Sequence, residues 1–171
     1  MENLMKTSHF IAAALIGLAV VAHADVSKKD QEFVTKAAAG GMYEVEAGKL
    51  AQSKGTSEAI KSYGEMLVKD HSAANEELKA IATRKGATLP TGLPADKQKK
   101  LEKVSTAKDF DKNFIDQVGQ DDHKADIALF EKASKNADDA ELKAFAAKTL
   151  PTLKAHKEHA DGLKKSQKQQ R

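Results

Sequence analysis

The sequence predicts an all-α protein built as a four-helix bundle. Three observations support this fold class. Alanine, lysine, glutamate and leucine, which favour helices, abound after the first 24 residues of the 171-residue chain. Apolar residues recur there at helical spacings of three and four, and no stretch alternates apolar and polar residues convincingly, as a half-buried strand would. Glycine, proline and aspartate divide the pattern into four long segments.

The first 24 residues have the composition of a secretory signal peptide. Lys6 precedes the apolar run FIAAALIGLAVV (10–21), and the small-x-small tripeptide AHA (22–24) follows it. A helix that spans a bilayer needs about 20 apolar residues, so this run is too short to serve as a membrane anchor. We expect cleavage after Ala24, export to the periplasm of a cell with two membranes, and no transmembrane segment in the mature chain.

The composition excludes several kinds of chemistry. The chain has no cysteine, which rules out disulfides, thiolate metal sites, and haem or lipid attachment through cysteine. The formal net charge is only +3 and 5% of the residues are aromatic, which together with export disfavours nucleic-acid binding. We assign residues 1–24 to the signal peptide, 25–165 to one bundle domain and 166–171 to a basic flexible tail.

The first two long helices are predicted to form a hairpin. Helix A is predicted over residues 28–53 and helix B over residues 57–85. Between them, Gly55 ends the first helix, and Thr56 or Ser57 caps the second. So short a turn places the two helices side by side and antiparallel.

A long connection and two further helices follow. Residues 86–97 hold two prolines and two glycines and are predicted to be a loop, with a short helix over 96–104. Helix C is predicted over 107–135. Helix D is predicted to begin after the NADDA segment (136–140) and to end near Lys165.

Each long helix places one polar residue on the face predicted to point into the core. These residues are Glu44 in helix A, His71 in helix B, His123 in helix C and His156 in helix D. A carboxylate and neutral imidazoles are good ligands for zinc, iron, copper or manganese. A buried unpaired carboxylate is costly, so Glu44 requires a cation or protonated histidines beside it. These four residues are our candidate metal ligands.

The apolar pattern of helix C changes phase just before its histidine. Phe110, Phe114 and Val118 share one face at steps of four, whereas His123 and Ile127 lie on another. Val118 and His123 are separated by a step of five. One inserted residue, as in a π-bulge, would bring the two faces into line, and such bulges are rare and often lie at functional sites. We therefore hypothesise a π-bulge near His123.

The heights of the candidate ligands favour a long crossover between helices B and C. In a simple up-and-down bundle they would spread over roughly 16 Å along the axis, at 1.5 Å per residue. If residues 86–106 cross the whole bundle, the spread falls to roughly 9 Å. This choice assumes that the four residues share one site. A crossover of this kind defines a ferritin-like topology.

Other interpretations of the inward polar residues remain open. His71, His123 and Glu44 could hydrogen-bond to one another or to the backbone in a metal-free polar layer, and His156 could pair with an acidic residue at the rim of the bundle. Asp70 could be a solvated neighbour of His71 or an outer partner of the site. A standard di-iron oxidase site takes a Glu-x-x-His motif from two helices. No such motif occurs in the chain, so we do not expect an oxidase.

Several stretches together resemble the domain-of-unknown-function 4142 family. They include MLVKDHSAANEEL (66–78), DHKADIALFEKAS (122–134) and LKAFAAKTLPTLKAHKEHA (142–160), and the resemblance covers residues 33–163. It implies an exported, ferritin-like helical bundle, of a kind often labelled a putative outer-membrane protein. The recurrent glutamate and histidines of the family map onto the four candidate ligands. The resemblance implies no activity.

We therefore expect an exported protein of unknown activity that binds a divalent transition metal (zinc, iron, copper or manganese) in its core. We expect its role to lie in the cell envelope or in stress response, in the periplasm; association with the outer membrane is implied only by the family label. The alternative is a metal-free interaction module, which would bind an envelope protein through its helical surface or basic tail. We do not expect an enzyme.

Overall fold

The computed structural model describes residues 26–169, and this part of the chain contains helices and no strand. The elements in order are α1 (Lys28–Lys54), α2 (Glu58–Lys85), α3 (Ala95–Ser105), α4 (Phe110–Phe114), a π-helical segment (Ile115–Asp122), α5 (His123–Asn136) and α6 (Ala140–Gln169). The π-helical segment joins α4 and α5 without a break. The predicted signal peptide and its cleavage site lie outside the described residues.

The predicted boundaries of the first hairpin are confirmed to within one residue. The side chain of Ser57 accepts a hydrogen bond from the backbone N–H of Ile60 and so caps α2. Gly86 ends α2 in the left-handed conformation, at φ 69°, which glycine adopts without steric cost. Helices of 27 and 28 residues result, long enough to form one half of the bundle.

Two predicted boundaries in the second half were wrong. The third long helix begins at Phe110 rather than at residue 107, because the Asp109 side chain accepts a hydrogen bond from the Lys112 amide and caps the helix there. At the other end, α6 continues to Gln169. Four of the six residues assigned to a flexible tail, 166–169, are therefore helical.

Contacts at the two ends of the bundle confirm the long crossover. At one end, the amide and hydroxyl of Thr56, in the turn between α1 and α2, donate hydrogen bonds to the Asp111 carboxylate at the start of α4 (3.0 and 2.6 Å). At the other end, Lys85 closes α2 and pairs with Asp139, just before α6 (2.9 Å). Residues 86–109 therefore traverse the length of the bundle. The chain has the predicted ferritin-like topology.

The apolar core falls into two clusters, one towards each end of the bundle. The first includes Phe33, Leu78, Phe130, Phe145 and Leu153. The second includes Tyr43, Tyr63, Leu67, Phe114, Val118 and Ala160. Along every long helix, the buried polar residue predicted from the sequence lies at or near the boundary between these clusters. The four polar residues thus form one layer across the middle of the bundle.

Glycines at the contact between α1 and α2 allow the two backbones to meet. A Cβ atom built on Gly48 would lie 2.7 Å from the backbone oxygen of Gly64, and one built on Gly64 would lie 2.6 Å from that of Gly48. Real Cβ contacts are not this short. The close approach accounts for the unfavourable placement of glycine inside α1.

Gly48→Ala should therefore lower the free energy of unfolding by about 1–3 kcal/mol, the usual cost of overpacking, although alanine is the better helix former. Gly162→Ala is the matched control. A Cβ atom there meets no neighbour, so that variant should gain up to about 1 kcal/mol from helix propensity alone. Urea unfolding of both variants measures the difference. Equal stabilities would show that the contact between the two backbones relaxes at no cost.

Candidate metal centre

Three imidazoles converge in the polar layer. His71, His123 and His156 are buried, with exposed fractions of 6%, 0% and 1%. Their ring centroids are 5.3–5.6 Å apart. One nitrogen of each ring lies within 4.8 Å of the others, and within residues 26–169 this is the one group of three or more histidine or acidic side chains close enough to share an ion.

The π-helical segment brings His123 into this group, as hypothesised from the sequence. In an α-helix of 3.6 residues per turn, residues five apart point roughly 140° away from each other. In a π-helix, residues five apart are hydrogen-bonded partners along one face. The segment Ile115–Asp122 is π-helical, so Val118 and His123 both face the core, and neither is exposed.

The outer nitrogen of His123 is held by the backbone. Its Nδ1 lies 2.8 Å from the carbonyl oxygen of Val118. A carbonyl oxygen can only accept a hydrogen bond, so Nδ1 carries the proton and donates it. The inner nitrogen, Nε2, therefore presents a lone pair in the neutral ring.

The outer nitrogen of His156 is held by a carboxylate. Its Nε2 lies 2.9 Å from Oδ2 of Asp70, which lies on α2 and is 32% exposed at its side chain. An ionised carboxylate accepts hydrogen bonds, so Nε2 donates and Nδ1 presents a lone pair in the neutral ring. Asp70 is thus an outer partner of the site, although it contacts His156 rather than its neighbour in the sequence.

The inner nitrogens of these two rings are spaced as ligands of one ion would be. Nε2 of His123 and Nδ1 of His156 are 3.2 Å apart. Two facing lone pairs at this distance require a proton or a metal ion between them. Nitrogens bound to zinc at about 2.05 Å in tetrahedral geometry lie about 3.3 Å apart. Nε2 of His71 has no hydrogen-bond partner among the described residues and is available as a third ligand.

Burial keeps the three imidazoles neutral. Burial, together with the neighbouring His156 and against the opposing effect of the Val118 carbonyl, lowers the pKa of His123 to about 4. Burial, together with His123 and His156, holds the pKa of His71 well below its usual range. The pKa of His156 is also lowered by burial, against the opposing effect of Asp70. The neutral ring is the form that binds a metal ion.

Glu44 lies in the same layer but outside the three-histidine group. It is fully buried, and its Oε1 lies 3.5 Å from Nδ1 of His123, on the side of that ring away from His156. That Nδ1 proton is already donated to Val118. Neither carboxylate oxygen of Glu44 has a hydrogen-bond partner within residues 26–169. Burial, and then the carboxylates of Asp126 and Asp122, raise the pKa of Glu44 well above its usual range.

Glu44→Gln should consequently stabilise the protein more at pH 8 than at pH 4.5, with a chelator present at both. Below pH 4.5 the carboxyl group is protonated in the folded and unfolded states alike. As the pH rises, the unfolded chain releases the proton while the folded protein retains it or buries a charge. The free energy of unfolding of the wild type therefore falls by up to about 1.4 kcal/mol per pH unit, until the pH passes the raised pKa of Glu44. Glu46→Gln, a change at a half-exposed position on the same helix, is the control. A pH dependence shared by both variants would contradict this account.

Some functional contacts were not predictable from periodicity. The Val118 carbonyl acts through the backbone, which a pattern of side chains does not reveal. Asp122 and Asp126 lie one turn apart and raise the pKa of Glu44, but the phase change in helix C hid the face on which they lie. The step of five residues was the signal that could have located them.

The fold and this layer define a ferritin-like helical bundle with a candidate metal centre. Residues 17–163 match the family described as "Domain of unknown function (DUF4142)", and the chain belongs to this family, as its sequence motifs indicated.

Among solved structures, the protein is similar to a DUF305 fragment from Deinococcus radiodurans. The two chains are 11% identical and superpose with a TM-score of 0.70, over 82% of this chain and 97% of that chain. At this identity the likeness shows the fold alone. No curated protein matches the chain. Between residues 26 and 169, every helix is too short or too polar to cross a lipid bilayer.

Proposed function

We propose that this protein binds one divalent transition metal ion through His71, His123 and His156. The proposal rests on the 3.2 Å spacing between Nε2 of His123 and Nδ1 of His156. The other nitrogen of each ring donates a hydrogen bond, to the Val118 carbonyl in His123 and to Asp70 in His156. Metal-bound histidines usually donate their other N–H to a carbonyl or carboxylate in this way. A ligand set made only of imidazoles favours zinc, copper or iron over manganese.

Three protein ligands leave a fourth tetrahedral position for water or another small ligand. The three side chains are at most 6% exposed, so a larger substrate would reach the ion only if the bundle opened. Ion binding is therefore the better proposal than catalysis. The signal-peptide composition of residues 1–24 supports export, and we place the protein in the periplasm, in an envelope or stress-related role.

Metal content tests the proposal. The full chain is expressed without a tag, its mature N-terminus is identified by mass spectrometry, and its zinc, copper and iron are measured before and after reconstitution. We expect one ion per chain in the wild type and almost none in His71→Ala/His123→Ala. Substoichiometric metal in both proteins after reconstitution would overturn the proposal and favour the metal-free interaction module.

Asp70→Asn should weaken metal binding about 10- to 100-fold without unfolding the protein. The substitution removes the anionic partner that fixes the orientation and tautomer of His156, and that partner is itself partly exposed. Asp121→Asn, at an exposed position of the π-helical segment, is the control. Competition with a chromophoric chelator measures both affinities. Wild-type affinity in Asp70→Asn would show that the ring is oriented by packing alone.

A further inference from the structure

Four interfaces between long helices surround the three-histidine centre, and two of them are closed by close contacts. Between α1 and α2, the two glycine backbones meet on one side of the polar layer. On the other side, a Cβ atom built on Gly41 would lie 2.0 Å from the side-chain oxygen of Asn75. Between the third long helix and α6, a Cβ atom on Gly119 would lie 2.6 Å from that of Ala160. At these positions neither interface has room for an added methyl group, and a hydrated ion is larger.

The crossover covers a third interface, the one between α1 and the third long helix. Lys97 and Lys100 of α3 lie over the ring of Tyr43 in α1, 4.9 and 5.7 Å from its centroid. Lys100 also pairs with Asp122, the residue before His123. Two positive charges therefore lie on this side of the layer, where they repel an approaching cation.

The fourth interface, between α2 and α6, holds a cavity of about 230 Å³. Its wall includes Asp70, Ala73 and Ala74 on α2 and Thr149 and Thr152 on α6. Oδ2 of Asp70 lies 2.9 Å from Nε2 of His156, and the Asp70 side chain is 32% exposed. Asp70 thus belongs both to the wall of this cavity and to the hydrogen-bonded surroundings of a candidate ligand.

The charges along this interface favour a cation. A second cavity, of about 400 Å³, lies between the same two helices and shares Glu77 and Lys148 with the first. The charge of Lys148 is matched by Glu77, with which it pairs at 2.8 Å. The partner of Asp70 is an imidazole that burial keeps neutral, so the charge of this carboxylate is not matched in the same way. A carboxylate in a cleft raises the local concentration of cations.

The wall that α6 contributes is weakened beside the cavity. Pro151 lies inside the helix between Thr149 and Thr152, and it has no backbone N–H to donate to the carbonyl of Ala147. A helix that lacks this hydrogen bond bends more easily at that point. His156 is only 1% exposed and lies five residues further on, so an ion passes its ring only when the ring or the helix moves.

We propose that hydrated divalent ions enter and leave the three-histidine centre through the cavity between α2 and α6, guided to His156 by Asp70. The carboxylate attracts the ion at the cavity wall and contacts the ring that must move to admit it. Asp70 is then a positioning residue for the loading of the site as well as for the orientation of His156. This inference rests on the proposed function, because an entry route presupposes an ion in the centre.

Filling the cavity tests the route. Ala73→Phe introduces a ring from α2 and Thr152→Phe introduces one from α6, and both positions lie outside the buried core. Zinc uptake by the metal-free full chain is followed by stopped flow with a fluorescent zinc indicator, and zinc release is followed after mixing with excess chelator. We expect both rates to fall at least about tenfold in each variant, while the dissociation constant changes by less than about twofold. A blocked route raises the barrier between the free and bound states and leaves the two states themselves unchanged.

Ser72→Phe is the matched control. Ser72 is exposed at the preceding position of α2 and lines a different cavity, of about 380 Å³, beside the closed interface with α1. This variant should take up and release zinc at wild-type rates. Wild-type rates in both cavity-filling variants, or equal slowing in Ser72→Phe, would overturn the entry route and leave the three-histidine site in place. A wild type that binds no zinc at equilibrium would instead overturn the proposed function, and the route with it.

Discussion

His71→Leu should remove metal-dependent stabilisation and leave the chelated protein at least as stable as the wild type. Nε2 of His71 is buried without a hydrogen-bond partner in the described part of the chain, and the side chain continues an apolar stripe between Leu67 and Ala74. Replacing an unpartnered buried polar group by an apolar one of similar size is nearly neutral or stabilising. A ligand is lost at the same time, and two imidazoles remain.

The expected loss of affinity is large. Structural zinc sites bind with about 10–16 kcal/mol shared among four ligands, so removing one ligand should cost roughly two to three orders of magnitude. Zinc at about 100 times its dissociation constant should raise the melting temperature of the wild type by about 5–10 °C. The variant should show no such rise at the same zinc concentration.

The comparison with chelated protein distinguishes a metal ligand from a member of a polar layer. His159→Leu is the control, because that ring is exposed, stacks on Tyr63 at 5.2 Å and is not part of the three-histidine group. It should keep the full response to zinc. If His71→Leu unfolds more easily than the wild type in chelator, the side chain stabilises the layer by itself, and its role as a ligand loses its support.

Deletion of Asp121 should weaken metal binding about 100-fold and leave the bundle folded. The deletion turns the step of five residues between Val118 and His123 into a step of four, so an ordinary α-helix keeps both apolar faces in line. In the shortened α-helix, the Val118 carbonyl accepts a backbone hydrogen bond from the N–H four residues later. The imidazole of His123 therefore loses its hydrogen-bond acceptor, and its position along the bundle axis changes.

A deletion of equal length elsewhere provides the control. Thr91 lies exposed in the crossover, outside any helix, so its deletion should leave metal affinity unchanged. Chelator competition gives the affinities, and urea unfolding gives the stabilities. The Asp121 deletion should be no less stable than the wild type, because α-helical hydrogen bonds replace π-helical ones. Unchanged affinity in that deletion would mean that the π-helical segment does not position the site.

Local signals in the sequence predicted most of the fold. Helix ends followed from capping residues such as Ser57 and Gly86, and the π-helical segment followed from one irregular step in an otherwise regular pattern. The three histidines share a layer because each lies on an inward stripe, and a stripe is set by helical periodicity alone.

The sequence could not predict how the side chains pair within that layer. Glu44 occupies an inward position as the histidines do, yet it faces the outer nitrogen of His123, because the rotation of α1 about its axis decides which neighbour it meets. Asp70 pairs with a residue 86 positions later in the chain. Lys100 of α3 pairs with Asp122 because of the path of the crossover. All three contacts depend on packing between helices.

The crossover also divides the three-histidine centre between two hairpins. His71 belongs to the hairpin of α1 and α2, whereas His123 and His156 belong to the hairpin that follows residues 86–109. Neither hairpin holds three ligands, so a bound ion would link the two halves of the chain by coordinating residues from both. A bundle cut within the exposed part of the crossover would become a pair of fragments, and metal concentration would then govern their association. The same ion that stabilises the intact protein would act as the ligand that assembles the divided one.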